Sequence, residues 1–220
     1  MKLLGVAVLV IFLELLSFTM TLVSFHVSED VIDMCQPHSS CAEVGVWKGE
    51  VSKAFAKRRP QTLYLIDPWE YQAVEFPNRW FSGKIAKSQH DMDVIFQKIN
   101  KTYAHLPHVT IIREKSAVAL QSLKEDSLDF LYIDGNHEYA PVLADLRNAR
   151  RVVKPGGIIA GDDYHWTNDT NVPCVKEAVA YFSKETGLKP TIHVVGGVQF
   201  SFVNKKGRPE AVQSAATGRV

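Results

Sequence analysis

Three aspartates carry the strongest chemical signal in this 220-residue chain. Asp134 closes the strand-like run Asp129–Ile133, and Asp162-Asp163 closes Ile158–Gly161. Carboxylates crowded together repel one another unless a cation or protons compensate. An oxygen-only set with no cysteine or histidine cluster suits Mg²⁺, which keeps waters or takes substrate oxygens. Asp134, Asp162 and Asp163 are therefore the candidate metal ligands. A metal there would hold a hydroxyl oxygen and lower its pKa. His137, three residues after Asp134, is the candidate general base, with His165 in reserve. An imidazole with an ordinary pKa near ~6.5 can accept a hydroxyl proton at neutral pH.

A second group surrounds Glu43-Val44-Gly45-Val46-Trp47-Lys48-Gly49-Glu50. Glycines where a strand turns into a helix let the backbone bend sharply and approach a ligand beside the helix N-terminus. The spacing is acidic-x-Gly-x-x-x-Gly rather than GxGxxG, which disfavours a dinucleotide. Asp67 ends the next strand, where a carboxylate accepts both hydroxyl hydrogens of a ribose diol. In register on neighbouring strands, the two signals favour an adenosyl nucleotide.

These residues need a scaffold that brings strand ends to one rim. From about Ser40 the chain alternates β-like runs with amphipathic helical stretches, the pattern of an α/β sheet. Strands are expected at Cys41–Trp47, Thr62–Ile66, Val109–Arg113, Asp129–Ile133, Ile158–Gly161, Thr191–Val195 and Val198–Val203. Only Gly196-Gly197 separates the last two, a tight hairpin. Helices are expected after the glycine turn, over Asp91–His105, from Ser116 to Leu123, from Pro141 to Val153, and over Val175–Glu185. Lys154-Pro155-Gly156-Gly157 reads as a stop between helix and strand, and Asp145 as a helix residue anchoring a neighbouring turn. The long connection after Asp67 holds Trp69, Tyr71, Phe76, Trp80 and Phe81 and reads as a lid or binding loop. Tyr139, Tyr164 and Trp166 read as pocket wall.

Composition agrees with one folded domain: 46% hydrophobic and 22% charged residues exclude a disordered chain. A net charge of +1 implies no general attraction to nucleic acid, and none is expected as a partner. Three cysteines, Cys35, Cys41 and Cys174, give no CxxC and no disulfide framework, and read as buried or idle thiols. Residues 1–30 form a hydrophobic N-terminal segment, 31–204 the main domain and 205–220 a polar tail. The apolar stretch over residues 3–27 is long enough to span a bilayer. It reads as an anchor associated with a membrane, a cleaved signal or a packed segment. Lys2 before it and Glu29, Asp30 and Asp33 after it favour the domain outside. The supply of the cofactor inferred below favours the cytoplasm instead, and localisation stays open between the two.

Taken with the Ile133-Asp134-Gly135-Asn136-His137-Glu138-Tyr139 and Pro155-Gly156-Gly157…Gly161-Asp162-Asp163-Tyr164 motifs, the span Cys41–Val203 resembles class I S-adenosylmethionine-dependent methyltransferases. Within them it is similar to the small O-methyltransferases of the macrolide-sugar and catechol type. The resemblance implies a doubly wound seven-stranded α/β sheet, order 3-2-1-4-5-7-6 with strand 7 antiparallel. It implies S-adenosylmethionine as cofactor, with Glu43, Gly45 and Gly49 at the methionine end, Asp67 at the ribose, Ser116 near the adenine and Asp134 alongside. The expected activity is Mg²⁺-assisted methyl transfer to a hydroxyl of a small molecule. Two other readings stand beside it: a nicotinamide-dependent oxidoreductase on a Rossmann-like sheet, and a non-catalytic membrane-tethered binding module.

Overall fold

Period-two alternation builds the sheet. In the computed structural model, which describes residues 28–72, 86–194 and 197–206, strands β1 (Ser40–Val44), β2 (Thr62–Ile66) and β4 (Leu128–Ile133) send successive side chains to opposite faces. Cys41, Leu63, Leu65, Phe130 and Tyr132 point to one face and Ala42, Val44, Ile66, Leu131 and Ile133 to the other. The first face is covered by helices α1 (Glu29–Met34), α2 (Glu50–Lys57) and α3 (Gln89–Tyr103) through Val31, Phe55, Met92, Ile95 and Ile99. The second is covered by α4 (Ser116–Ser122), α5 (Tyr139–Val152) and α6 (Cys174–Thr186) through Leu120, Leu146, Val179 and Phe182. Strands buried on both faces need helices on both, and that requirement makes the sheet doubly wound.

With β3 (Val109–Ile112), β5 (Val153–Gly161), β6 (Thr191–Val194) and β7 (Val198–Val203), the order is β3-β2-β1-β4-β5-β7-β6. The first five strands pair parallel; β7 runs antiparallel to β5 and to β6. Both the order and the antiparallel β7 match the expectation. Val194 pairs with Val198 across the hairpin, whose residues 195–196 lie outside the described residues.

Several local readings change. The Lys154–Gly157 stop lies inside β5, where the register against β4 jumps from Leu128↔Val153 to Phe130↔Ile158. Asn204 clamps this bulge: its side-chain amide donates to the Val153 carbonyl at 2.6 Å, and its backbone exchanges hydrogen bonds with Gly156 and Gly157. Cys35 and Cys41 are not idle thiols; they form a disulfide, with their Cα atoms 6.3 Å apart. The chain leaves α1 at Cys35 and doubles back to start β1, which brings the two cysteines together. Cys174 is free and buried. Trp69 is core rather than lid: it is fully buried, packs on Phe96 at 5.1 Å and donates its indole N–H to the Trp47 carbonyl. Phe76, Trp80 and Phe81 lie outside the described residues, as does the apolar stretch up to residue 27. Among the described residues no helix is long and apolar enough to cross a membrane.

Candidate active site

The first residue beyond each central strand continues the ladder. Gly45 N–H donates to the Ile66 carbonyl, Asp67 N–H to Ile112, Asp134 N–H to Val44 and Asp162 N–H to Ile133. Residues far apart in sequence therefore line one rim at the carboxyl ends of the sheet, where α/β sheets bind ligands.

Gly45 is required at its position. Its φ is +89°, and a Cβ there would lie 1.9 Å from the Asp134 carbonyl oxygen. The exit of β1 is pressed against the exit of β4, and only glycine fits between them. Gly49 caps α2 with φ +77°, and a Cβ on it would meet Ile99 Cδ1 at 2.7 Å. Asp67 holds the intervening loop in shape. One carboxylate oxygen accepts the Trp47 N–H at 2.9 Å and the other the Trp69 N–H at 2.6 Å. Burial pushes the Asp67 pKa up, against the lowering effect of these N–H groups and that of Val46. Glu43 lies beneath the turn rather than on its surface. It is buried, accepts the Ser52 hydroxyl at 2.5 Å, and is driven well above the carboxylate range by that burial.

Asp134, His137 and Asp163 converge at the rim, their ligating atoms all within 4.8 Å of one another. His137 Nε2 lies 3.4 Å from Asp134 Oδ1 and 3.2 Å from Asp163 Oδ2. Burial pushes Asp134 up to about 7; the His137 contact opposes this and the charge of Asp162 adds to it. Burial pulls His137 down, but Asp134, Asp163 and Asp162 outweigh it and the net shift is upward.

Asp162 and Asp163 point different ways. Asp163 has a left-handed backbone, φ +55°, a conformation that aspartate tolerates better than most residues. Asp162 turns back, accepting the Asp163 N–H at 2.8 Å and the Tyr132 phenol at 3.1 Å. The group that comes together is thus two carboxylates and an imidazole, with Asp162 near enough for its charge to raise Asp134. His165 is exposed and packs edge-on to Tyr164 at 5.2 Å. Trp166 stands edge-on to His137 at 5.5 Å, walling the rim.

Ser116 begins α4 with its hydroxyl bonded to Asp145, a buried residue that burial pushes up to about 6. The anchoring expected of Asp145 is this contact. Nearby, a cleft of about 230 Å³ opens over the ends of β2 and β3, lined by Pro68, Trp69, Glu70, Gln89, Arg113, Glu114 and Lys115. Tyr132 and Ser52 were not singled out by sequence reasoning. A phenol two residues before Asp134, between Leu131 and Ile133, was the available signal for Tyr132.

A family model described as a methyltransferase domain matches residues 42–164, from β1 to just past Asp163. An uncharacterised protein, R132, of Acanthamoeba polyphaga mimivirus is 24% identical over 162 residues, 71% of this chain. The match covers 66% of the viral protein, slightly under two thirds of its length. Among solved structures, an O-methyltransferase family protein from Burkholderia thailandensis aligns with a TM-score of 0.54 at 12% identity, over 81% of this chain and 55% of that one. A putative methyltransferase from Streptococcus mutans in complex with SAH gives 0.52 at 10% identity, over 79% of this chain and 92% of that one. These structural likenesses concern the fold, and the family match concerns the segment that builds the rim. With that match spanning more than half its length, the chain belongs to the methyltransferase-domain family and has the seven-stranded sheet of the class I enzymes.

Proposed function

We propose that this chain transfers a methyl group from S-adenosylmethionine to a hydroxyl of a small molecule, assisted by a divalent cation at the acidic rim. The observation that carries this reading is the convergence of Asp134, His137 and Asp163 beside the Gly45 turn. Family membership and the SAH bound in the Streptococcus mutans structure support the cofactor. Family membership also replaces the nicotinamide reading.

Each residue has a task in this scheme. The Gly45–Gly49 turn offers a close-fitting backbone to the methionine end, and Asp67 fixes that turn while facing the ribose. Asp134 and Asp163 supply the oxygen donors for the cation, and the oxygen and nitrogen atoms at the rim suit one chemically. When bound, such an ion acts as template and Lewis acid for a hydroxyl oxygen. Trp166 packs edge-on against His137 at the side of the rim, and His137 is held between the two carboxylates. In-line transfer demands an aligned oxygen, and alignment is what this arrangement supplies.

The test is calorimetry with S-adenosylmethionine, followed by transfer of labelled methyl to a panel of sugar, polyketide and phenolic hydroxyls with and without chelator. Asp163→Asn should lower turnover ~100-fold, the scale of losing one charge-stabilising group, with cofactor affinity nearly unchanged. Absence of cofactor binding would refute the reading. Full activity in chelator would refute the cation's part in it.

A further inference from the structure

We propose that His137 is itself a metal ligand, and that the rim selects a first-row transition ion such as Co²⁺ or Zn²⁺ over Mg²⁺. This inference rests on the cation-assisted reading above and specifies the ion.

Donor spacing comes first. Bonds of about 2.0–2.2 Å place neighbouring donors on one ion ~3.0 Å apart in an octahedron and ~3.4 Å apart in a tetrahedron. His137 Nε2 lies 3.4 Å from the Asp134 oxygen and 3.2 Å from the Asp163 oxygen, at the edge of and within that range respectively. The three donor atoms all lie within 4.8 Å of one another, close enough to converge on one ion. The alternative oxygen-only set needs Asp162, which is not among the three residues whose donor atoms converge. One of its oxygens accepts the Asp163 N–H and the other the Tyr132 phenol, which is fully buried on β4. The convergent set is two carboxylates and an imidazole, with Asp162, bonded to Tyr132, accepting the Asp163 backbone N–H beside it.

Donor chemistry then sets the preference. Mg²⁺ takes oxygen ligands and gains little from imidazole, whereas Co²⁺ and Zn²⁺ gain most at such a mixed site, with Mn²⁺ between them and Mg²⁺. Trp166 beside the imidazole limits its swing, so His137 does not readily leave the rim.

The experiment uses the full chain. Calorimetry with Mg²⁺, Mn²⁺, Co²⁺ and Zn²⁺ should show Co²⁺ binding at least ~100-fold more tightly than Mg²⁺. Electron spin-echo modulation of the Mn²⁺-loaded protein should show coupling to a directly bound ¹⁴N. His137→Ala should abolish that coupling and lower Co²⁺ affinity ~10–100-fold, with Mg²⁺ affinity changed little. Mn²⁺ bound without nitrogen coupling, or Mg²⁺ bound as tightly as Co²⁺, overturns the inference and leaves the cation reading standing. Failure to bind any of the four ions overturns both. The wild-type spectrum decides the matter even if the variant does not fold.

Discussion

Asp145 offers a sharp test of how this sheet holds its charged groups. It lies on α5 at 2% exposure, the Ser116 hydroxyl offsets part of its burial, and its pKa rises from 3.8 to about 6. A folded-state value above the unfolded one means that the native protein binds the proton more tightly. The resulting stability is fully present below about pH 4 and is lost as pH climbs through about 6. At 1.36 kcal/mol per pKa unit the loss is about 3 kcal/mol. Asp145→Asn keeps an acceptor for Ser116 and has no proton to lose. Urea unfolding of both proteins between pH 4 and pH 8 isolates the effect, because every other group titrates in both. The variant should be about equal to wild type at pH 4 and more stable by up to about 3 kcal/mol at pH 7.5, with the change falling between pH 4 and pH 6.5. A difference that stays flat across this range, or that grows in favour of the wild type as pH rises, would refute the assignment.

Two further outcomes test the frame around the site. Gly45→Ala places a methyl group 1.9 Å from the Asp134 carbonyl at a φ of +89°, so it should cost at least ~2–4 kcal/mol by urea midpoint and weaken cofactor binding. A loss under ~1 kcal/mol would mean that the β1 and β4 exits are not in contact. Thiol titration under denaturing, non-reducing conditions should count one cysteine, Cys174, and all three only after reduction. For the short Cys35–Cys41 loop, serine at both positions should cost about 2 kcal/mol.

The sequence reveals where the acids lie better than it reveals which way they point. Apolar alternation ending in Asp67, Asp134 and Asp162 marks strand ends whatever the side chains do afterwards, so the rim was legible, while the strand order came from the family resemblance. The divergence of Asp162 from Asp163 was not. It depends on one left-handed backbone angle and on a phenol from the adjacent strand, neither of which leaves a trace in spacing. The bond from the Ser116 hydroxyl to Asp145, on a helix more than twenty residues away, likewise leaves no trace in spacing. Three cysteines without a motif concealed a pair that only the return from α1 to β1 brings together. Trp69 looked like a loop aromatic because the loop's length was visible and the Trp47 carbonyl waiting for its indole was not.

The continued ladder at the strand ends has a last implication. Asp67, Gly45, Asp134 and Asp162 each occupy the first step past a strand, so their backbone separations are multiples of the ~4.8 Å interstrand repeat. That repeat is a property of the whole sheet, and no ligand can stretch or compress it locally without parting main-chain bonds. The site thus works like a fixed keyboard: exchanging a side chain at any one key alters the chemistry played there while the distance to every other key is conserved. On the methyl-transfer reading proposed above, new acceptor preferences would arise on this scaffold by swapping side chains, without the sheet having to be rebuilt.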